Sequence, residues 1–375
     1  MALLTYHPFK GVYALAALGF ELVRLPIFLV KYLTSYGRQH PEWSFRQALT
    51  VRIFFSFVYH AANVQMGTPL PLTAGKEKER WTTFKPAKDE MYKGPLRSNP
   101  DVKPVEIGGT WYPAPLTQGS DKSNIRVILH IHGGAYVMAD GRDANSGPFS
   151  GRLLKHATAT HVFCPQYRLS TLPVSKTSNP FPAAIQDSLS SYLYLINDLK
   201  ISPKHIILSG DSAGANAAIA LLRYLADYGA ELNIPNPAAA LLWSPWVDPS
   251  DTSCSYVHNN ANYHTDFLSP PFTQWGSKAY AGLPGLNTLS QPYVNAKLKP
   301  FKTDVPIWVT TGGAEVLYFD DVEWYEKAKA AGNDVTLHVE PNVPHDILLV
   351  GDPMGFAKEA TNSAKKAGEW LKNKL

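Results

Sequence analysis

Gly210-Asp211-Ser212-Ala213-Gly214 stands where an apolar run, HIILSG (205–210), gives way to the alanine-rich NAAIALLRYLADYG (216–229). A serine in that setting reads in two ways. The plain reading is a helix cap, since serine accepts hydrogen bonds from N–H groups at helix N-termini. The chemical reading is a nucleophile thrown up on a strand-to-helix turn so tight that the flanking positions must be glycine. G-x-S-x-G turns up by chance in about one chain of this length in ten. Its weight therefore comes from its placement between strand and helix.

A serine hydroxyl attacks well only when a base removes its proton and donors stabilise the oxyanion that forms. Upstream, LHIHGGAY (129–136) closes another apolar run. Gly133 and Gly134 carry no side chains, so their N–H groups can approach a substrate oxygen. With the N–H of Ala213, at the positive end of the next helix, they are expected to form an oxyanion hole. The plainer alternative is a glycine turn with His132 as a structural residue. No metal or organic cofactor is expected. Cys164 and Cys254 are too few for a disulfide scaffold and lack metal-site spacing, so both are read as small buried apolar residues.

The elements that must position these residues follow from pattern. Short apolar runs at 125–131, 161–167, 205–210, 239–244, 306–312 and 335–340 alternate with amphipathic segments such as 181–198 and 216–229. That alternation predicts a mostly parallel sheet covered by helices on both faces. The stretch 245–300, rich in Trp, Tyr, Asn and Pro, breaks the rhythm and is read as an insertion over the sheet. Two aromatic-rich helical stretches (12–35 and 43–66) come first, then a linker at 67–80.

Within the first stretch, Glu21, Arg24 and Lys31 interrupt the apolar run and Pro26 is expected to break a continuous helix. A membrane span is therefore not expected, and no signal-cleavage site follows. A pair of amphipathic helices is expected instead, packed on the domain or lying on a membrane surface, with packing favoured. Location is read as intracellular, with peripheral membrane contact left open. With 35 Lys+Arg against 31 Asp+Glu and no long basic run, nucleic acid is not an expected partner.

HIHGGAY followed by GDSAGAN strongly resembles the hormone-sensitive-lipase branch of the α/β-hydrolases, which includes bacterial esterases, plant carboxylesterases and fungal tailoring hydrolases. YRL (167–169) with FPAAIQD (181–187), and SPW with Asp248, match further family stretches. The resemblance covers roughly residues 102–375. It implies an α/β-hydrolase catalytic unit over 101–375 with a cap insertion at about 245–300, and residues 1–100 as N-terminal helices of the cap plus a linker. Ala135 replaces the family's usual third glycine, Gln166 replaces an aspartate, and 170–179 is a longer link. These departures bear on substrate preference.

The family's chain order is serine, acid, histidine, with the last two in loops after the final strands. Of the twelve histidines, only His338 and His345 follow the penultimate strand. His338 sits inside the alternating VTLHVE, where a half-buried strand position is expected. His345 lies in the loop PNVPHD and is read as the base. His130, His156, His161 and His205 are given no role.

For the acid, TTGGAEVLYFDD (310–321) offers Glu315, Asp320 and Asp321. Glu315 stands in the loop just past the strand's end. The other two fall where a helix has begun, and its macrodipole already favours them. The family pattern agrees, because Leu317 follows Glu315 at the usual offset. The expectation is a serine carboxylic-ester hydrolase with the triad Ser212, His345, Glu315, acting on a hydrophobic ester or lactone. The alternatives are acyl transfer or cyclisation by the same triad in a secondary-metabolite pathway, and a non-catalytic small-molecule binder on this fold.

Overall fold

Eight strands form one sheet in the computed structural model, which describes residues 2–250 and 253–375. They are β1 (Trp81–Phe84), β2 (Ile107–Tyr112), β3 (Val127–Ile131), β4 (His161–Gln166), β5 (Ile206–Asp211), β6 (Ala239–Trp243), β7 (Ile307–Gly312) and β8 (Val335–Glu340). Their spatial order is β1-β2-β4-β3-β5-β6-β7-β8. The pairs from β4 through β8 are parallel, and the β1–β2 and β2–β4 pairs are antiparallel. The helices are α1 (Phe9–Lys31), α2 (Phe45–Asn63), α3 (Asp143–His156), α4 (Ala183–Leu193), α5 (Ala213–Leu232), α6 (Ser255–His258), α7 (Pro270–Ala281), α8 (Leu286–Leu289), α9 (Tyr318–Ala330), α10 (Ile347–Met354) and α11 (Ala357–Lys374).

The mostly parallel, helix-covered sheet read from the alternation is present, as the resemblance to the α/β-hydrolases implies. β3, β5 and β6 are buried along their whole length. That is why they read as unbroken apolar runs and not as alternating ones, since both faces are covered. α4 is wholly buried, and α5 is buried from Ala213 to Leu225. The parallel strands all end on one edge of the sheet, so Ser212, Glu315 and His345 emerge from neighbouring strand ends.

Two strands escaped the sequence pattern. β1 is only four residues long, and β2 reads IGGTWY, with two glycines where a strand normally carries side chains. Aromatic rings fill those places. A Cβ on Gly108 would lie 2.1 Å from the Trp81 indole, and one on Gly109 would lie 2.5 Å from the Phe163 ring. The sheet thus begins at Trp81, ahead of residue 101.

The N-terminal segment also differs from expectation. α1 is a single helix of 23 residues that runs through Pro26. Pro26 is exposed, on the open side of the helix. By length and composition the helix is apolar enough to cross a membrane. It packs on the domain only thinly, along α2, where Tyr13 and Glu21 meet His60, and Ala17 is its only buried residue. α2, by contrast, starts at a capping box of Ser44 and Gln47 and buries Ala48, Val51 and Val58. The inserted stretch between β6 and β7 holds α6, α7 and α8, with residues 251 and 252 outside the described residues.

Candidate active site

The turn after β5 explains its glycines by contact. A Cβ on Gly210 would fall 2.3 Å from the Gly214 carbonyl oxygen, and one on Gly214 would fall 2.0 Å from that of Ile131. Between them Ser212 is held at φ +51°, ψ −117°, a backbone state that costs of order 1–3 kcal/mol for a residue with a Cβ. Three backbone bonds hold it: Ser212 N donates to Trp243 O at 2.9 Å, while Trp246 N and Asn216 N donate to Ser212 O at 3.0 and 3.1 Å. The helix-cap reading does not hold, since the Ser212 side chain makes no cap bond.

His345 and Glu315 meet at the ends of β8 and β7. The His345 Nδ1 lies 3.6 Å from Glu315 Oε2, an ion-pair distance that is long for a hydrogen bond. Such bonds commonly tighten only when substrate is bound. Glu315 Oε2 also accepts from Ser244 Oγ at 2.7 Å. The Asp346 N–H donates to the same Ser244 oxygen at 3.1 Å. Asp346 and Asp211, the residues flanking His345 and Ser212, are hydrogen-bonded carboxyls, which sets the base and serine loops side by side.

Burial alone would lower the His345 pKa, but the carboxylates of Glu315, Asp266 and Asp211 outweigh it and raise it above its ordinary value. Burial alone would raise Glu315, and here His345, Ser244 and Asp321 outweigh it, so Glu315 is lowered and stays ionised. Burial and the neighbouring Glu315 carboxylate push Asp321 well up. A protonated Asp321 donates to Thr311 Oγ1 (2.7 Å), and that hydroxyl donates to Glu315 Oε1 (2.8 Å). Asp320 faces elsewhere, 2.5 Å from Lys297 Nζ. Of the three carboxylates only Glu315 reaches the imidazole.

The expected oxyanion hole needs one correction. The Gly133 N–H donates to Asp211 Oδ2 at 2.9 Å, so it is already used. Its glycine is required because a Cβ would lie 2.3 Å from that same oxygen. The N–H groups of Gly134, Ala135 and Ala213 make no internal bond among the described residues. Gly134 and Ala135 both have positive φ, +99° and +52°. Ala135, noted in the sequence only as a missing glycine, therefore has the free N–H that was expected of Gly133. The sequence carries no sign of the long-range Asp211 contact.

His130, left without a role, is part of this support: its Nε2 lies 3.1 Å from Asp211 Oδ1 and its Nδ1 lies 3.0 Å from Ser209 Oγ. Desolvation lowers the His132 pKa, and its ring stacks on Tyr167 at 4.1 Å. His338 stacks on Trp308 and pairs with Glu340 at 2.9 Å, as a strand residue. Cys164 is buried, its thiol pushed up to about 12 by desolvation, whereas Cys254 is only half-buried. The family-like Arg168 and Asp187 form a buried ion pair at 2.8 Å. Gln166 accepts from Arg142 and donates to Pro71 O, which fastens the 67–80 segment to the sheet.

Sequence reasoning missed Asp266. Its Oδ1 accepts from the N–H of His345 (3.2 Å) and of Phe267 (2.7 Å), and its Oδ2 accepts from the N–H of Val316 (2.7 Å). One buried carboxylate from the insertion thus fastens both the base loop and the acid loop. Around it Asn262 Nδ2 donates to Glu315 O, Thr265 Oγ1 to Ala314 O, and Tyr256 OH and Asn260 Nδ2 to Val316 O. Desolvation raises Asp266, partly offset by His345, to about 6. A lone aspartate in an Asn- and Tyr-rich stretch has no spacing that marks it.

The family profile described as alpha/beta hydrolase fold matches residues 128–349. Among curated proteins, an acetyl-hydrolase of Streptomyces hygroscopicus is 29% identical over 222 residues, 59% of this chain and 67% of the relative. An esterase of Acinetobacter venetianus is 29% identical over 251 residues, 65% of this chain and 73% of the relative. Among solved structures, an esterase from the bacterial hormone-sensitive lipase family superposes with a TM-score of 0.61 at 22% identity, covering 88% of this chain and 99% of its own. That last likeness bears on the fold.

Proposed function

The chain belongs to the alpha/beta-hydrolase fold family as an enzyme of the esterase type, and from that premise we propose a reaction through Ser212, His345 and Glu315 on a hydrophobic small-molecule ester or lactone. His345 takes the Ser212 proton as Oγ attacks the carbonyl carbon. The oxyanion settles on the N–H groups of Gly134, Ala135 and Ala213. His345 then passes its proton to the departing alkoxide, leaving an acyl-enzyme. A water, deprotonated by the same imidazole, releases the acid and restores the serine. Glu315 keeps its charge throughout and stabilises the imidazolium.

The observation that carries this reading is the strained, three-point-held Ser212, whose side chain makes no cap bond, on a turn that the Asp211–Asp346 contact joins to the loop of His345, whose imidazole lies 3.6 Å from a buried carboxylate. The apolar character of the substrate is supported by Phe267, whose ring lies 5.7 Å from that of His345. A fluorophosphonate probe is expected to label Ser212 alone, and p-nitrophenyl esters of increasing chain length to be cleaved, with Ser212→Ala inert in both. Absence of an adduct on the native protein would overturn the reading.

Burial favours a second outcome of the same chemistry. Ser212 is 8% exposed and His345 3%, and a site that closed also suits capture of the acyl-enzyme by a hydroxyl of the substrate or of an acceptor. Product analysis separates the two, because hydrolysis alone yields the free acid.

A further inference from the structure

α1 presents the largest uncovered apolar face of the molecule. Leu15, Val23 and Val30 are 73%, 75% and 70% exposed, and Val12, Leu18 and Ile27 follow closely. At 100° per residue these side chains share one broad arc that carries no charge. The charged residues of the helix interior, Glu21 and Arg24, lie on the other side, where they pair with each other at 3.1 Å. Glu21 also meets His60 of α2 at 3.2 Å.

The helix is fixed lengthwise. Tyr13 OH meets His60 Nδ1 at 2.9 Å near one end, Glu21 meets His60 in the middle, and Arg52 of α2 lies over the Phe28 ring at 4.8 Å near the other end. α1 therefore lies along α2 and does not stand away from the domain. α2 in turn is held to the catalytic domain through Phe54 on Phe267 and Trp43 on Phe356.

The charge of this segment is unlike that of the rest. Residues 1–66 carry six cations (Lys10, Arg24, Lys31, Arg38, Arg46, Arg52) against Glu21 and Glu42, a net +4. The whole chain has 35 against 31, so the remaining residues balance at 29 against 29. All the excess positive charge sits in this N-terminal segment, where α1 itself carries a net +2 from Lys10, Arg24 and Lys31 against Glu21. Arg52 has its Nε buried without a hydrogen-bond partner and lies between Phe28 and Phe55, with no ion pair among the described residues. Together with Lys31 and Arg38 it lines a cavity of about 440 Å³ at the C-terminal end of α1, three cations against the one carboxylate of Asp266, which is taken up by the N–H groups of His345, Phe267 and Val316. Arg38 spends its guanidinium on the backbone carbonyls of Tyr32, Leu33 and Trp43, so its charge also makes no ion pair among the described residues.

We propose that α1 lies flat in the surface of a membrane bearing anionic lipids, its uncharged arc sunk among the acyl chains and Lys31, Arg38 and Arg52 facing the headgroups. A second copy of the chain would cover the apolar arc equally well but would bring the same +4 against itself. An anionic lipid surface satisfies both features. The contacts along α2 give the helix its orientation parallel to the surface, although its 23 residues, about 34 Å at 1.5 Å each, would suffice to span. Lying so, the helix holds the esterase where apolar esters partition.

The test is flotation of the full chain with phosphatidylcholine vesicles, with and without phosphatidylglycerol. Binding is expected to be at least about tenfold tighter to the anionic vesicles and to weaken with salt. The triple variant Leu15→Glu, Val23→Glu, Val30→Glu changes only exposed positions and should lose vesicle binding about tenfold or more, with its melting temperature and its cleavage of a soluble p-nitrophenyl ester unchanged. A tryptophan placed at Val23 should be quenched more by lipids brominated near the headgroup than by those brominated near the chain end. Failure of the full chain to float with either vesicle would overturn the proposal. So would a dimer in solution that the triple variant dissolves, or quenching strongest at the bilayer centre, which would mean a spanning helix.

Discussion

The insertion between β6 and β7 and the helix α1 both look, in sequence, like aromatic covers for one pocket, yet they are attached by different physics. The insertion is fastened to the acid and base loops by directional hydrogen bonds from Asp266, Asn262, Thr265, Asn260 and Tyr256 to backbone groups of 314–316 and 345. α1 is held mainly against α2 and Gln65 just past it, through a few side chains, and leaves most of its surface open. A perturbation in the insertion should therefore reach the chemistry, and one in α1 should not. Aromatic content alone does not distinguish a part of the catalytic apparatus from a surface device.

Glu315 sets the scale for that contrast, since it is the group the insertion holds in place. Glu315→Gln removes the charge that stabilises the imidazolium and is expected to lower kcat by roughly 10³–10⁴-fold with the fold intact. The pH profile should move as well. His345 is held above its ordinary value of 6.5, so kcat/KM of the native enzyme should rise through an acid limb above that pH as the base deprotonates. Without the carboxylate the histidine loses its main raising influence and the limb should fall to lower pH. A variant with native kcat would place the acid elsewhere.

Asp266→Asn asks whether the insertion truly positions the triad. Asparagine offers one acceptor oxygen where the aspartate uses two, so the tie to either His345 or Val316 is lost. Misplacement of a catalytic group by about 1 Å costs on the order of 100-fold, and a kcat loss of about 10–100-fold is expected with a smaller change in KM. Asp266 also helps to raise His345, so the acid limb should again shift downward. Unchanged kcat and an unmoved limb would reduce the insertion to a roof.

The contrast also marks what the sequence could carry. The parallel strands, the serine turn and the loop positions of Glu315 and His345 were legible because each depends on local pattern: an apolar run, a forced glycine, a loop just past a strand end. Ala135 and Asp266 were not legible. The work of each depends on a partner far along the chain, Asp211 bonding Gly133 in one case and the loops at 316 and 345 in the other. β2 was hidden because Trp81 and Phe163 supply the volume that its glycines lack. α1 was misjudged because proline and charge were weighed as interruptions, although its one internal pair closes on itself against α2.

The two acidic neighbours of Glu315 should matter much less. Asp321→Asn keeps a donor toward Thr311, since the aspartate is held protonated there, and is expected to cost less than about tenfold in kcat. Asp320→Asn loses one contact of Lys297, which still has Glu323 at 3.0 Å and Asp248 at 3.5 Å. Because the pair is largely buried, the substitution should act on stability by about 1–3 kcal/mol and leave turnover near native. A large kcat loss in either variant, measured beside Glu315→Gln, would reassign the acid.

The smallest effect on chemistry belongs to removal of α1 itself, residues 1–31. The truncation breaks Tyr13 and Glu21 on His60 and lifts Phe28 from Arg52. It leaves the capping box of α2 and the Phe54–Phe267 and Trp43–Phe356 contacts in place. Ile53 and Phe57 of α2 are half exposed already, so little new apolar surface opens, while the open faces of Leu15, Val23 and Val30 disappear. Solubility should therefore rise. Turnover of a short, water-soluble ester should stay within about twofold, a change of less than ~0.5 kcal/mol in activation free energy. A tenfold loss on that substrate would show that α1 steadies α2 and, through Phe54 and Phe267, the imidazole of His345. The two covers would then be one apparatus after all.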